Sequence, residues 1–419
     1  MELVEIEELF KKIEYCSSDE EVYRIWEEAN LRDDCFMLAI GESSNINFSK
    51  NIYNILSREL VCSYFQSNKI RFVHNKVIRN SKTEKLSKVP ADYSLMFDSN
   101  ICTYINAVME RKAFNGSKEI IPLLLDILHN RIMYDFTFYL YENFESINID
   151  LCLINKDFEL WDLLNADFQK NLINLIKFKH IKPEGANSFE TSISDIEAKE
   201  EAIELCFKVY FQANDLLKNI ITKFKMTKMI VLKIVEIQFS SNKSTQNKYL
   251  ELINFMNEKC CFSDRESILA LEYFKNKNLG TFKKIHHGMK FDKFLKRVNN
   301  VSWDIMAPRI MEDFIRGMSS HEEVFIPFFF SYDENLRETI KAHPIKYLFL
   351  NGDDNKRRVV SIPKNNTHEY LYKNNCHKAI EEIFNNTEFR RKNVSNIQLN
   401  LDENLINGFE ECKKILELG

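Results

Sequence analysis

The stretch YSLMFDSN, residues 93–100, decides the fold class of this chain. It opens with a short, nearly continuous apolar run, which predicts a strand covered on both faces. The run then stops at three polar residues, Asp98, Ser99 and Asn100. Because ligands bind beyond the carboxyl ends of the strands in an open parallel sheet, Asp98 is the first candidate site residue.

Two later stretches have the same form as this first run. They are VFIPFFFSYD at 324–333 and IKYLFLNGDD at 345–354. Helical patterns separate the three runs, so the sequence predicts βαβ units and a parallel sheet, and therefore the α/β class. Asp333 follows the second run, and Asp353 and Asp354 follow the third, at the ends where ligands bind.

Length and composition allow several domain arrangements, but they restrict the classes of function. With 419 residues, the chain has room for two or three domains or for one domain with a large insertion. Its 45% hydrophobic and 28% charged residues are typical of a soluble globular protein. A net charge of −5 disfavours a uniformly basic nucleic-acid binder, while a local basic groove stays compatible with it.

Cysteine usage and the N-terminal residues predict a cytoplasmic protein. The ten cysteines show no C-x-x-C spacing, which indicates neither a zinc site nor a disulfide framework and suits a reducing compartment. The opening MELVEIEELFKKIEY lacks the apolar core of a signal peptide. No apolar run is long enough to span a bilayer, so no membrane partner is expected.

The periodicity of the chain predicts four parts. Residues 1–90 form an N-terminal helical segment, because EIEELFKKI and SDEEVYRIWEEANL have helical spacing. Residues 91–142 are the first part of the α/β core, and 143–300 are a mostly α-helical insertion carrying the strongly periodic IEAKEEAIELCFKVYF. Residues 301–419 are the second part of the core with a C-terminal extension, which contains a predicted strand at VVSIP and a predicted helix at HKAIEEIFNN.

Two further acids join Asp98 and Asp333 by their context. Glu142 lies in DFTFYLYENFES, a tract too apolar for a solvent-facing surface. Asp304 lies in NNVSWDIMAPRIMEDFI and is expected at the start of a helix, with Ser302 as its cap. Each acid also has an ordinary structural explanation: a salt bridge for Glu142, and compensation of the helix dipole for Asp304.

The order of these pieces resembles that of the PIN-like nucleases. Phe97-Asp98-Ser99-Asn100 is similar to the D-x-N motif after the first strand of that family, and Glu142 to its second acid. Asp304 then matches a third acid at a late helix, and Ser331-Tyr332-Asp333 a fourth in a T/S-x-D motif. The resemblance covers about 92–142 and 300–352. It implies a PIN-like parallel sheet flanked by helices, with IKYLFL as the closing strand.

The resemblance implies a metal-dependent hydrolase of phosphodiester bonds, most often of RNA. Mg²⁺ or Mn²⁺ would be the cofactor, because hard divalent ions prefer carboxylate oxygens. The second acidic ligand stays open between Glu142 and Glu190 in the insertion. Asn100 and Ser331 would hydrogen bond to a ligand carboxylate or to the phosphate. The implied catalytic and metal-binding residues are Asp98, Glu142, Asp304 and Asp333.

A basic stretch, KKIHHGMKFDKFLKR at 283–297, precedes Asp304 and offers contacts to a polyanion. Phe291 and Phe294 within it are candidate stacking groups for bases. The alternative is an amphipathic helix with solvated lysines and buried phenylalanines. The candidate nucleic-acid-binding residues are Lys283, Lys284, Lys290, Lys293, Lys296 and Arg297.

Three functions remain open on the sequence. The first is a ribonuclease acting as a toxin or antiphage defence effector, with an inhibitory or regulatory protein as a candidate partner. The second is a non-catalytic interaction scaffold on a degenerate PIN-like fold, which would bind no metal. The third is a DNA nuclease of related fold, since recognition of the 2′-hydroxyl leaves no linear signature.

Overall fold

The computed structural model describes most of the chain, and the chain divides into two compact units. Unit 1 comprises Met1–Ser94, Met311–Phe328 and Pro344–Asn365, and unit 2 comprises Leu95–Ile310, Phe329–His343 and Asn366–Gly419. The described residues are 3–16, 18–48, 52–67, 69–83, 88–144, 165–182, 189–260, 262–276, 279–320, 322–352, 358–364, 371–377 and 400–417.

Unit 1 contains a four-stranded antiparallel sheet with the order β4-β1-β8-β9. Its strands are β1 (Phe36–Ile40), β4 (Ile70–Val73), β8 (Ile345–Asn351) and β9 (Arg358–Pro363). The core of the unit packs aromatic side chains against this sheet. The Phe10 and Trp26 rings lie 5.7 and 5.9 Å from that of Phe349.

Unit 1 also contains short helices. They are α1 (Leu3–Glu14), α2 (Asp19–Glu28), α3 (Ile52–Leu56) and α4 (Asn75–Thr83). Helix α2 begins directly after Ser18, whose side chain accepts a hydrogen bond from the backbone N–H of Glu21.

The prediction that residues 1–90 are a helical segment is wrong from residue 36 onward, where strands alternate with helices α3 and α4. Strands β1 and β4 lie there, together with β2 (Ile46–Asn47) and β3 (Val61–Ser63). The run FMLAI forms β1 and pairs on both edges, with β4 and with β8. A strand buried in this way has no alternation of polar and apolar residues, which is the signal that separates short strands from helices.

A second sheet has the order β2-β5-β7-β3, with β6 also paired to β5. The predicted strands at 93–97 and 324–330 are confirmed as the end of β5 (Val89–Phe97) and as β7 (Val324–Phe330). All seven residues of β7 are buried. Strands β2 and β6 (Tyr134–Asp135) run parallel to β5, so the fold is α/β with mixed parallel and antiparallel sheets.

The expectation that IKYLFL closes the parallel sheet is wrong. This run is β8, and it pairs antiparallel with β1 and β9 in the sheet of unit 1. Strand β1, which pairs with this run in place of the parallel sheet, was not predicted from the sequence. A short connection to β9 also suits an antiparallel pair, whereas a parallel pair needs a long crossover. Asp353 and Asp354 lie in that connection, outside the described residues.

The described residues of 165–300 are mainly helical. In the described residues after β5, the helices are α5 (Ser99–Met109), α6 (Ser117–His129), α7 (Thr137–Glu142), α8 (Ala166–Lys179), α9 (Asp195–Phe207), α10 (Asn214–Ser240), α11 (Thr245–Lys259), α12 (Asp264–Lys275), α13 (Phe291–Met318), α14 (Glu334–Lys341) and α15 (Leu401–Glu417). A π-helical turn, Lys208–Gln212, follows α9, and a 3₁₀ turn, Gly280–Lys284, precedes α13.

The core of unit 2 packs several of these helices around α10. Val231 of α10, Leu252 of α11, Leu271 of α12 and Val301 of α13 are all fully buried in one cluster. No helix in the described ranges is both long and apolar enough to cross a membrane. The helix predicted at HKAIEEIFNN falls, from residue 378 onward, outside the described residues.

Candidate active site

The carboxyl ends of β5 and β7 lie side by side and carry the centre of the site. The backbone N–H of Asp98 donates to the carbonyl oxygen of Phe330 at 3.0 Å. One residue further, the Ser331 hydroxyl donates to Oδ2 of Asp98 at 2.7 Å. Asp98 is only 4% exposed, so its carboxylate is held inside unit 2 at the strand ends.

Asp98 and Asp333 both precede a helix, but they use their side chains differently. Asp98 is the N-cap residue of α5, yet within the described stretch 88–144 its carboxylate makes no capping hydrogen bond. It instead accepts from the Asn100 side chain at 3.1 Å and from Ser331. Asp333 caps α14 with Oδ1, which accepts from the N–H of Asn335 at 2.9 Å, while its Oδ2 accepts from Lys284. Helix capping therefore accounts for one carboxylate oxygen of Asp333, and it does not account for the buried carboxylate of Asp98.

Asp304 does not open a helix, which corrects the expectation from the sequence. It lies in the middle of α13, and the hydroxyl of Ser302 donates to the carbonyl of Val298 instead of capping. The helix starts earlier because Phe294, Val298 and Val301 already bury an apolar face at helical spacing. From this position the Asp304 carboxylate accepts hydrogen bonds from Thr281 and, at 3.4 Å, from Lys284.

Glu142 reaches the same place from the far side of β5. Strand β6 pairs with the end of β5, and α7 follows directly and ends at Glu142. The carboxylate of Glu142 accepts a hydrogen bond from the hydroxyl of Ser99, the residue after Asp98. The alternative second acid, Glu190, is exposed in the stretch before α9. The structure thus brings Glu142 to Asp98.

The four carboxylates act on one another electrostatically. Burial raises the pKa of Asp98 to about 6, and the charges of Asp304 and Asp333 add to the rise. Burial and the charge of Asp98 raise the pKa of Glu142 to about 8. Burial also raises the pKa of Asp304. Burial is the main cause of all three rises, and the charges of neighbouring acids add to each of them, so these carboxylates are both buried and close to like charges.

Lys284 lies within the carboxylate cluster, although the sequence placed it on a phosphate-binding surface. Its ammonium is 2.6 Å from Oδ2 of Asp333 and 3.4 Å from Oδ2 of Asp304. Burial alone would raise the pKa of Asp333, but the hydrogen bond and charge of Lys284 lower it below its usual value. Lys284 is therefore the internal counter-ion of this site.

The remaining predicted basic residues do not join the carboxylates in the same way. Lys283 is 43% exposed and pairs with Glu338 at 3.5 Å. Phe294 is fully buried in the helical core, so the expectation that it stacks on bases is wrong, and Phe291 is half-buried. The other four are exposed at the start of α13 or just before it: Lys290, Lys293, Lys296 and Arg297.

The donor set fits a hard divalent cation in its chemistry. Four carboxylates supply oxygen ligands of the kind that Mg²⁺ and Mn²⁺ prefer, and three of them have raised pKa values that a cation would relieve. Their present spacing is different: among the described residues, no three His, Cys, Asp or Glu side chains are arranged to hold a metal ion. The ammonium of Lys284 provides the positive charge in this arrangement.

Two residues of the site were missed by the sequence reasoning. Ser99 is the middle residue of Asp98-Ser99-Asn100, and its position in that motif was the available signal. Thr281 had no such signal, because its bond to Asp304 depends on how the 3₁₀ turn packs against α13.

This chain matched no family model, no curated protein and no solved structure.

Proposed function

We propose that this chain is a divalent-metal-dependent nuclease that hydrolyses phosphodiester bonds, with RNA as its substrate. One observation carries the proposal: four carboxylates from distant parts of the chain are linked through Ser99, Ser331 and Lys284 near the ends of β5 and β7. Burial and neighbouring charges raise three of their pKa values there. The order of these acids along the chain, which resembles that of PIN-like nucleases, supports it. The four residues are Asp98, Glu142, Asp304 and Asp333.

These carboxylates would hold Mg²⁺ or Mn²⁺. When bound, such an ion polarises a phosphodiester and lowers the pKa of a water molecule. Asn100 and Ser331 both donate to Oδ2 of Asp98 and so fix the orientation of its carboxylate. The ammonium of Lys284 now pairs with Asp304 and Asp333. A cation held by these two carboxylates would take its place, and the ammonium would then be available to a substrate phosphate.

Cleavage of labelled single-stranded RNA with Mn²⁺ or Mg²⁺ tests the proposal, with a DNA strand of the same sequence in parallel. The double variant Asp98→Asn with Asp304→Asn keeps the side-chain volumes and removes two charges, so cleavage falls to background. Asp92→Asn is the matched control, because Asp92 lies on β5 but is exposed. Activity that persists in the double variant would contradict the proposal, and cleavage of DNA alone would reassign the substrate.

The second candidate is a non-catalytic interaction scaffold, and the position of Lys284 favours it. An ammonium already bound to Asp304 and Asp333 can serve as a permanent counter-ion. This candidate predicts no heat of binding when Mn²⁺ is titrated into the protein. It also predicts that charge neutralisation at Asp98 stabilises the chain without any functional cost. The proposed nuclease would act as a toxin or antiphage effector under the control of a partner, and a scaffold would not.

A further inference from the structure

Three aromatic side chains lie together beside the carboxylates, and we call them the aromatic trio. They are Tyr104 of α5, Phe114 in the loop after it, and Tyr332 just after β7. The rings of Tyr104 and Phe114 are stacked at 5.0 Å and 20°, and those of Tyr104 and Tyr332 meet edge to face at 5.9 Å. All three are only partly buried, unlike Phe97 and Phe330 in the core beneath.

The position of the trio relative to the acids follows from the chain. Tyr104 comes four residues after Asn100 on α5, and residues at this spacing share one face of a helix. Tyr332 stands between Ser331, which bonds to Asp98, and Asp333, which bonds to Lys284. Beyond the effect of its burial, the charges of Asp98 and Asp333 raise the pKa of Tyr104. The trio therefore borders the site.

The local backbone holds the trio in position. The hydroxyl of Tyr332 donates to Oε2 of Glu119 at 2.9 Å, which fixes the outer end of the ring. Gly116 has a φ of +83°, and a Cβ atom there would lie 3.3 Å from the Tyr332 ring. Glycine is required at this point both by the backbone conformation and by the close approach of the ring. The ring of Tyr332 is thus seated before any ligand arrives.

Cations lie beside the trio as well as aromatic surface. The guanidinium of Arg337 donates to the carbonyl of Ser331 at 3.0 Å, and its charge acts on the Tyr332 hydroxyl. Lys284 pairs with Asp333, the residue that follows Tyr332. Half-exposed rings with adjacent cations are the combination that binds single strands, in which bases stack on aromatics and phosphates pair with basic groups.

We propose that the aromatic trio is a stacking subsite for an unpaired nucleobase, which gives this site a preference for single-stranded over duplex nucleic acid. The inference rests on the proposed nuclease function, because the base on the trio brings its neighbouring phosphate to the carboxylates. Stacking requires an exposed face of the base, and a paired base within a duplex offers none without being unstacked. Stacking on a ring tolerates any base, so little sequence preference is expected.

Binding without cleavage tests this inference separately. Fluorescence anisotropy with labelled single-stranded RNA, single-stranded DNA and duplex RNA is measured in EDTA, so that the readout does not depend on the metal-loaded enzyme. Tyr104→Leu and Phe114→Leu keep apolar volume and remove the rings, and each is expected to weaken single-strand binding by about 5- to 100-fold. Tyr104→Phe keeps binding. Tyr15→Ala, at a tyrosine that is 83% exposed in unit 1, is the control and leaves binding unchanged.

The outcomes separate the two proposals. If the wild-type protein cleaves RNA but the leucine variants bind single strands as tightly as the wild type, the stacking subsite is overturned and the nuclease stands. If single strands bind and the leucine variants weaken that binding but no cleavage occurs with any metal, the nuclease fails and the subsite stands. Equal affinity for duplex and single strands also overturns the subsite. Equal losses of affinity for single-stranded RNA and DNA show that the subsite recognises the base alone. A loss of affinity for RNA alone shows that it also recognises the 2′-hydroxyl. Circular dichroism confirms that each variant is folded.

Discussion

The hydroxyl of Ser331 donates to Oδ2 of Asp98 at 2.7 Å, although the two residues are 233 positions apart in the chain. The same hydroxyl accepts from the backbone N–H of Asp333 at 3.0 Å. One serine therefore links the carboxylate of Asp98 to the backbone of Asp333. Its bond to Asp98 stabilises the charged carboxylate and lowers a pKa that burial raises.

Replacement of Ser331 by alanine should destabilise the protein more at pH 8 than at pH 4. Without the hydroxyl, the pKa of Asp98 rises further above its unfolded value, so ionisation in the folded state costs more. That cost is absent at pH 4, where folded Asp98 is protonated. We expect the free energy of unfolding, measured with urea, to fall by about 2 kcal/mol at pH 8 and by about 1 kcal/mol at pH 4. Ser302→Ala, at a buried serine that bonds to a backbone carbonyl, should show no such pH dependence.

Replacement of Glu142 by glutamine should stabilise the metal-free protein at pH 8 and have little effect at pH 4. The pKa of Glu142 is about 8 in the folded state against an ordinary value of 4.5, so the folded state holds this proton more tightly. Between these two pKa values, each unit of rising pH lowers the free energy of unfolding of the wild type by about 1.4 kcal/mol through this group. The glutamine variant escapes that loss.

Urea unfolding of wild type and Glu142→Gln at several pH values between 4 and 9 measures the difference. Glu190→Gln is the control, because Glu190 is exposed and should give the wild-type profile. Parallel profiles for Glu142→Gln and wild type would show that Glu142 does not stand in the charged, buried surroundings described above.

Removal of the internal counter-ion should make the site depend on added cations. Lys284→Ala leaves Asp304 and Asp333 without their ammonium, and we expect a loss of about 1–3 kcal/mol at pH 7, less than for fully buried pairs because the Lys284 side chain is 19% exposed. Mn²⁺ should then raise the melting temperature of the variant more than that of the wild type, because the ion takes the place of the ammonium.

The neighbouring lysine provides the control for this experiment. Lys283 is 43% exposed and pairs with Glu338, so Lys283→Ala should change stability little and leave the response to Mn²⁺ unaltered. A scaffold without a metal site predicts instead that Mn²⁺ shifts none of the three melting temperatures. Differential scanning calorimetry with and without Mn²⁺ distinguishes these results.

Replacement of Gly280 by alanine should disturb the turn that carries Thr281 and Lys284. Gly280 has a φ of +43°, and a Cβ atom there would lie 2.9 Å from Oγ1 of Thr339. We expect a loss of about 1–3 kcal/mol together with weaker Mn²⁺-dependent cleavage. Gly317→Ala is the matched control: Gly317 is helical, and no described atom lies within 4 Å of its added Cβ, so that change should stabilise by about 0.5–1 kcal/mol.

Part of the site was accessible from local sequence because strand ends leave a local signal. The apolar runs that end at Asp98 and Ser331 predict strands β5 and β7 without knowledge of their partners. Glu142 stood out because an acid among aromatic residues has few ordinary places in a fold. These features depend on a few neighbouring residues, so composition and order alone reveal them.

Other features depend on packing between distant segments. The run of β8 looks like the other two strands, but its sheet was decided by the pairing partner β1. Asp304 was expected at a helix start, and it lies mid-helix because α13 begins earlier on its own apolar face. Phe294 was a candidate to contact a ligand, but it is fully buried in the helical core.

By itself, the sequence determined that strands end in acids at Asp98 and Asp333, because the alternation of apolar runs and polar stops is a local property of the chain. Only the tertiary structure decided that Glu142 and Asp304 join them, and that Lys284 lies among them and not on an outer surface. Burial and the charges of neighbouring groups set these pKa values and this ion pair, and both depend on which segments the fold brings within a few ångströms.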